Sequence, residues 1–453
     1  MKNLRVPNAF IIVFIIMLVA AVMTYVVPAG RYELVKGAKV IDPDSFHFVE
    51  NKAITLWGFI DSIFAGMYKG AAIIIFTFLM GGYFNVVVET KAIDRFVGYL
   101  IGKYSDSAAV IIPALMLLMS LLGFVGIANP VVAFMPVGLI LAKKLRLDRL
   151  VAVAVMFVAC YTGYSMSAMC PVTVQLAQKI ADVKLLSGFG FRTAGWLLIL
   201  APTVFYTMRY VRRIQKDPSQ SLMGGEYAIE ENSAATEAGF SGRDALVLAV
   251  LAGGMATYIY GSFAYKWGLN AMVGAMFVIA AADAAIAGMS PDSFVKAFIR
   301  GAQQMCFSAL LIGLATSISV ILTNGNVLHT IIYAMAQALL LLPHWIVGPV
   351  MYQANIIFNF FVPSGSGQAA IVMPIMAPLA DVVGLTRQMA ICAYQYGDGL
   401  SNCIFPTNGT MMACIAVAGV KFDQWLRWIL PLFGIWWVIS TLWIILGVAL
   451  GVA

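Results

Sequence analysis

Asn359-Phe-Phe-Val-Pro-Ser-Gly-Ser-Gly-Gln-Ala-Ala370 sets glycines, serines, a glutamine and a proline inside a long apolar block. From Gly301 to Ala380 there is no Asp, Glu, Lys or Arg. Irregular backbone is tolerated at bilayer depth only where protein or a water-filled cavity surrounds it. A polar, glycine-rich interruption there reads as the tip of a re-entrant hairpin. Secondary transporters bind their substrates at such interruptions.

The 453 residues are 62% hydrophobic and 11% charged, against about 25% charged in soluble domains. The apolar residues come in windows of roughly 20, the length of a membrane-spanning helix. Residues 6–30 carry no charge, and that stretch is longer than the apolar core of a cleaved signal peptide. The net charge of +7 collects at span ends, as orientation by cytoplasmic Lys and Arg requires, and does not point to nucleic acid. The six cysteines (Cys160, Cys170, Cys306, Cys392, Cys403 and Cys414) lie in apolar stretches without metal-site or disulfide spacing. They read as small buried residues.

Lys2 and Arg5 place the N-terminus in the cytoplasm. A first span covers about 7–28, and a mixed-charge outer loop 30–55. A second span, 56–88, returns inward, in two pieces around Lys69-Gly70. A short amphipathic helix at 91–103 lies along the interface. An uncharged block broken at Gly123-Phe-Val-Gly-Ile-Ala-Asn-Pro130 forms a first hairpin, 107–147, ending in the basic turn Lys143 to Arg149. A helix over 149–182 is broken between Cys160 and Pro171. The span 190–211 ends at the basic cluster Arg209 to Lys216.

Residues 215–243, with Glu226, Glu230, Glu231 and Glu237, form a polar cytoplasmic linker. Spans at 244–262 and 268–288 follow, then a cytoplasmic turn with Lys296 and Arg300. After them come a span at 301–323 and a horizontal segment at 326–342. A second hairpin covers 345–380. A helix over 385–420 is broken between Tyr394 and Asn408, and a last span covers about 428–450.

The two halves repeat a pattern. Met135-Pro136 follows the first hairpin break and Met373-Pro374 the second. Gly163 to Pro171 answers Gly397 to Pro406, and the prolines stand 35 residues apart in one half and 32 in the other. The extra span near 244–262 changes the parity, so residues 1–214 and 244–453 read as inverted repeats. Broken helices in inverted repeats mark a large class of secondary transporters.

Asp398 is the sharpest candidate, the single charge between Arg387 and Lys421. Intramembrane acids are costly and functional by default. Its flanks Gly397 and Gly399 free the backbone to unwind, and Ser401 lies close by. Carbonyls released there, with the carboxylate, suit Na⁺, a proton or a substrate amine. Gly126 and Gly163 mark the corresponding places in the first half.

Ser364, Gly365, Ser366, Gly367 and Gln368 form the second hairpin tip. Their helix-start amides suit a substrate carboxylate. Asn402, Thr407 and Asn408 surround the second break, with Thr162, Ser165, Ser167 and Thr173 as first-half partners and Asn129 at the first tip. Singly, each reads equally well as an interhelical hydrogen bonder. Asp283 reads as interfacial. No nucleophile–base pair, metal cluster or phosphate-cradling loop is found, so no cofactor is expected beyond Na⁺ or H⁺ as coupling ion.

Phe358-Asn359-Phe360-Phe361 leading to Ser364-Gly-Ser-Gly-Gln-Ala-Ala370, Gln395-Tyr-Gly-Asp-Gly399 leading to Pro406-Thr407, and the opening Val27-Pro28-Ala29-Gly30 carry a resemblance. Nearly end to end, the chain resembles the YfcC branch of the DcuC-type (C4-dicarboxylate anaerobic carrier) family, in the wider ion transporter superfamily. The resemblance implies a bacterial inner-membrane carrier, a homodimer with an elevator motion, and C4-dicarboxylates or amino acids, often basic, as substrates. The family's glutamate pair at the first hairpin tip is replaced by Ala128 and Asn129. That substitution removes up to two negative charges and weakens the case for a cationic substrate.

The expectation is an all-α polytopic membrane protein with two re-entrant hairpins and two discontinuous helices. It would move a small carboxylate-bearing metabolite by alternating access. An ion channel, which needs a continuous lined pore, and a membrane enzyme, which needs a catalytic constellation, are the alternatives.

Overall fold

The computed structural model describes residues 9–33, 42–104, 107–128, 131–223, 239–265 and 267–453. Helix α1 (Ala9–Val26) is followed by the paired two-residue strands β1 (Gly30–Arg31) and β2 (His47–Phe48), antiparallel in the loop before α2. Thr55 caps α2 (Leu56–Glu89) by accepting from Gly58 N at 3.0 Å. The second span is one continuous 34-residue helix, not two pieces. Gly70 stays helical there because Lys69 before it and Ala71 and Ala72 after it are good helix formers and the helix packs along its length on α12 and α13.

Helix α3 (Ala92–Tyr104) is amphipathic, and Arg95 ties it to Asp244 with Nη2–Oδ1 at 2.5 Å. The first hairpin follows as α4 (Ala108–Val125) and α5 (Val131–Lys144). A broken helix comes next: α6 (Arg149–Val153), a π-helical turn at Ala154–Val158, α7 (Ala159–Ser165), an irregular stretch 166–170, a second π-helical turn at Pro171–Gln175, and α8 (Leu176–Ile180). Helix α9 (Phe189–Lys216) closes this half. Ser241 and Asp244 form a capping box that opens α10 (Gly242–Ala264).

After α11 (Leu269–Ala287), the expected turn around Lys296 and Arg300 is instead the helix α12 (Pro291–Gln304). Ser290 caps it, accepting from Ser293 N at 3.2 Å, and Pro291 sits at its first position, where a missing N–H costs nothing. Then come α13 (Cys306–Asn324) and α14 (Leu328–Leu340). The second hairpin is α15 (His344–Phe361) and α16 (Gly365–Val382). A second broken helix, α17 (Arg387–Ser401) and α18 (Gly409–Val417), precedes α19 (Phe422–Ala449).

Seven helices among the described residues are long and apolar enough to cross a membrane. Helix α2 packs on α12 and α13, and Asn85 Nδ2 donates to Ala297 O at 2.7 Å across that contact. The hairpins pack on the broken helices, α4 on α7 and α15 and α16 on α17. Small residues permit this: a Cβ on Gly123 would stand 1.9 Å from Cys160 O, and one on Gly163 1.8 Å from Ser120 O. Close backbone approach through small residues is how helices associate in lipid.

Two expectations about burial change. Cys306 is exposed while the other five cysteines are buried. Asp283 is fully buried, with neither carboxylate oxygen partnered among the described residues. Lys2, Arg5, Asn129 and the four linker glutamates lie outside the described residues.

Candidate functional site

The two breaks are held by side chains that satisfy their loosened backbone. At the first, Ser167 Oγ donates to Phe124 O at 2.5 Å and accepts from Met169 N and Cys170 N at 3.0 and 2.7 Å. Gln175 Nε2 donates to Met169 O at 2.6 Å, and Tyr258 donates to Gln175 in turn. Gly126 ends α4 with φ at +104°, open to glycine at little cost, and a Cβ there would stand 2.9 Å from Pro171. The first hairpin tip and the first break therefore touch.

At the second break, Asn359 Nδ2 donates to Asp398 O (3.0 Å), Ser401 Oγ (2.8 Å) and Asn402 Oδ1 (3.1 Å). Asn408 donates to Asn402 Oδ1 at 2.8 Å and caps α18 through Met411 N. Gly397, Asp398 and Gly399 do not unwind. They are helical within α17, and the irregular backbone begins at Asn402. Their glycines serve close crossings instead: a Cβ on Gly397 would meet Asn355 Cβ at 2.7 Å, and one on Gly399 would meet Ser165 Cα at 2.5 Å. Glycine permits unwinding but equally permits a neighbouring helix to approach, and here packing wins.

Asp398 is fully buried. Its Oδ1 receives only a 3.5 Å contact from Asn402 Nδ2, and its Oδ2 has no partner among the described residues. That oxygen lies 3.0 Å from the point where a Cβ on Gly365 would stand, and Tyr164 Oη lies 2.3 Å from the same point. Gly365 opens α16, with Ser364 as its cap accepting from Gly367 N at 3.3 Å. A helix start carries partial positive charge and favours an anion. The helix end expected to face a substrate carboxylate thus has the protein's own carboxylate beside it.

Tyr394 Oη donates to Gly365 O at 2.6 Å, and Gln395 Nε2 donates to Tyr164 O and Thr173 Oγ1 at 2.8 and 3.0 Å. The second hairpin, the second broken helix and the first broken helix meet here. Buried acceptor oxygens without partners cluster on these elements: Asn359 Oδ1, Gln368 Oε1, Gln395 Oε1 and Asp398 Oδ2. Each of the four is an oxygen of the kind that hard cations accept as a ligand.

Several of the other candidates hydrogen-bond within the helix packing. Thr162 Oγ1 donates to Ala159 O and meets Ser120 Oγ at 3.0 Å, in the α4–α7 crossing. Ser165 Oγ donates to Tyr161 O at 2.5 Å. Gln368 Nε2 is held by Asn355, and Ser366 and Thr407 Oγ1 are buried. Sequence reasoning missed Asn359, Tyr164, Tyr394 and Gln395 as site residues. A basic side chain also reaches the first break from α9: Arg192 Nη1 donates to Ser167 O at 3.4 Å.

The family described as DcuC, C4-dicarboxylate anaerobic carrier, matches residues 6–449. An Escherichia coli (strain K12) protein named "Putative basic amino acid antiporter YfcC" is 32% identical over 99% of this chain and 97% of its own. An uncharacterized Haemophilus influenzae protein is 26% identical over 99% and 98%. Among solved structures, the Alcanivorax borkumensis YdaH transporter superposes with a TM-score of 0.77 at 14% identity, covering 98% of this chain and 99% of its own. Neisseria gonorrhoeae MtrF, whose structure illuminates a class of antimetabolite efflux pumps, superposes with a TM-score of 0.71 at 16% identity, covering 98% and 96%.

Proposed function

The chain belongs to the C4-dicarboxylate anaerobic carrier family, as a multi-pass membrane transporter and not an enzyme, and on that premise we propose that it is a secondary carrier of a small carboxylate-bearing metabolite. An amino acid or a C4-dicarboxylate fits both the family description and the name of the Escherichia coli relative. The observation that carries this reading is Asp398. A buried carboxylate with a bare oxygen, at the meeting point of a hairpin start and two broken helices, is the equipment of a coupled carrier.

In this reading residues 1–214 and 244–453 are inverted repeats joined by the linker 215–243. The hairpins α4–α5 and α15–α16 are re-entrant, entering from opposite sides, and the hairpin and broken-helix unit moves against α1–α2 and α12–α13 as an elevator within a homodimer. The N-terminus faces the cytoplasm of a bacterial inner membrane. Asp398, with Gln368, Gln395 and Asn359, holds Na⁺ or H⁺ or a substrate amine, and Ser364 to Gln368 line the substrate's path. A channel reading is weaker, since the breaks are closed by packed side chains.

The test is uptake of labelled succinate and L-arginine into proteoliposomes under imposed Na⁺ and pH gradients. Saturable uptake with counterflow supports a carrier. Uptake that rises linearly with concentration and shows no counterflow is channel behaviour and overturns the proposal.

A further inference from the structure

Arg192 sits in α9, fully buried. Its Nη1 makes one long contact, to Ser167 O at 3.4 Å in the first break, and its guanidinium lies 5.9 Å from the centroid of the Tyr396 ring. Its Nε and Nη2 have no partner among the described residues. A guanidinium is almost never fully buried unless paired, and burying an ion uncompensated costs several kcal/mol.

Further buried donors lie beside it, within reach of one another. Tyr396 Oη is one. Trp443 Nε1 is another, 2.6 Å from the place a Cβ on Gly195 would take, one turn along the same face of α9. Phe191 stacks on Trp443 with centroids 4.5 Å apart, fixing the indole there. No carboxylate on the helices that carry these groups supplies the missing charge. Helix α9 has no acid, α19 has only Asp423 in its first turn, and α17 has only Asp398. Tyr396 and Asp398 project roughly 200° apart around α17, and Asp398 faces Gly365 on α16.

The bare edge identifies the ligand's chemistry. Nε and Nη2 form the side of the guanidinium that grips a carboxylate with two parallel bonds. The same chain shows that grip: Arg387 holds Asp381 through Nε at 2.9 Å and Nη2 at 2.6 Å, and Arg95 turns both atoms on Asp244. At Arg192 this edge meets no carboxylate among the described residues.

We propose that Arg192, with Tyr396 and Trp443, forms the site for the carboxylate of the transported metabolite, separate from Asp398. The proposal rests on the carrier reading for the ligand's identity as cargo. It divides the labour: Arg192 recognises the substrate's anionic end, and Asp398, on the other face of α17, serves the coupling cation rather than a substrate amine.

The test is a thermal-shift titration of the purified full chain with sodium acetate, sodium succinate and L-arginine, against sodium chloride at matched ionic strength. Wild type is compared with Arg192→Lys, Arg192→Gln, Tyr396→Phe and Trp443→Phe. At least one carboxylate is expected to raise the melting temperature where chloride does not. The half-saturating concentration is expected to rise at least tenfold in both Arg192 variants. Tyr396→Phe, which keeps its ring in place, should raise it three- to tenfold without moving the ligand-free melting temperature, so a folding defect is separable; Trp443→Phe should raise it too, while lowering that temperature through the space the indole vacates.

A titration unchanged by Tyr396→Phe and Arg192→Lys overturns the proposal. So does a chloride shift as large as the carboxylate shift, or the absence of any carboxylate shift in wild type. If carboxylates bind in this pattern but proteoliposomes take up none of them, the site stands and the carrier reading falls. If uptake persists with affinity unchanged in the variants, the carrier reading stands and the site falls.

Discussion

Asp398 Oδ2 stands 3.0 Å from the position a Cβ would occupy on Gly365, the first residue of α16. A carboxylate from one broken helix thus rests against the start of the second hairpin's return helix. Both residues are buried. The contact joins the only charge in α17 beyond Arg387 to the polar interruption in a stretch of the chain, Gly301 to Ala380, that carries no charge at all.

Asp398→Asn keeps the shape and removes the charge. Uptake driven by a Na⁺ or proton gradient is expected to fall at least tenfold, while substrate affinity in thermal-shift titrations changes by less than threefold. The folded protein should melt no lower than wild type, because a neutral amide is cheaper to bury than an unpaired carboxylate. A large loss of affinity with coupling intact would place Asp398 on the substrate instead.

Gly365→Ala puts a methyl group 2.3 Å from Tyr164 Oη and 2.7 Å from Thr173 Cγ2. The hairpin start must then move away from the first broken helix. Initial uptake rates should drop more than tenfold, and the melting temperature should fall as well, since overpacking a buried contact costs about 1–3 kcal/mol. Initial rates measured beside melting curves check both parts.

Gly123→Ala and Gly163→Ala strike backbone, not a movable side chain: Cys160 O at 1.9 Å and Ser120 O at 1.8 Å. Each should destabilise the protein by at least about 2 kcal/mol, as overpacking of a close contact does. Since both substitutions force the same α4–α7 separation, the double variant should cost less than the sum. Melting of the detergent-solubilised variants tests this.

Arg387 grips Asp381 with both side chains largely buried, and its Nη1 donates to Ala181 O at 2.8 Å, linking α17 to the end of α8. Arg387→Ala leaves a buried carboxylate unpaired and is expected to cost about 3 kcal/mol. Adding Asp381→Asn should recover part of that loss. Chemical denaturation of the two variants gives the difference.

Asp283→Asn is expected to act the other way. Both carboxylate oxygens are buried without partners among the described residues, so removing the charge should raise the melting temperature by roughly 2 °C. Uptake should stay within twofold of wild type. A loss of uptake would instead make Asp283 part of the transport cycle.

Much of the fold was legible in the chain. The hairpin interruption at Val362-Pro363-Ser364, the first break between Ser165 and Pro171 and the second before Asn408 all fall inside the stretches that glycine, proline and polar residues marked. Gly397 and Gly399 misled because glycine signals two different things, an unwound turn and a close helix crossing, and only the neighbour distinguishes them. Arg192 and Asp283 were invisible as buried charges. Each lies near the end of a span, where a charge normally reaches back to the interface, and nothing in the order of residues says that a neighbouring helix covers it.

The sequence by itself determined which stretches are apolar enough to span, roughly where they are interrupted and that this is a membrane transporter of its family, because transfer of a helix into lipid is a sum over about twenty adjacent residues. Only the tertiary structure decided which polar groups meet. Whether Asp398 faces Gly365 and Arg192 faces Tyr396 depends on the rotation of each helix about its axis and on how closely glycine lets two backbones approach. Those are properties of pairs of helices far apart in the chain, so the chemistry of the site emerges only when they pack.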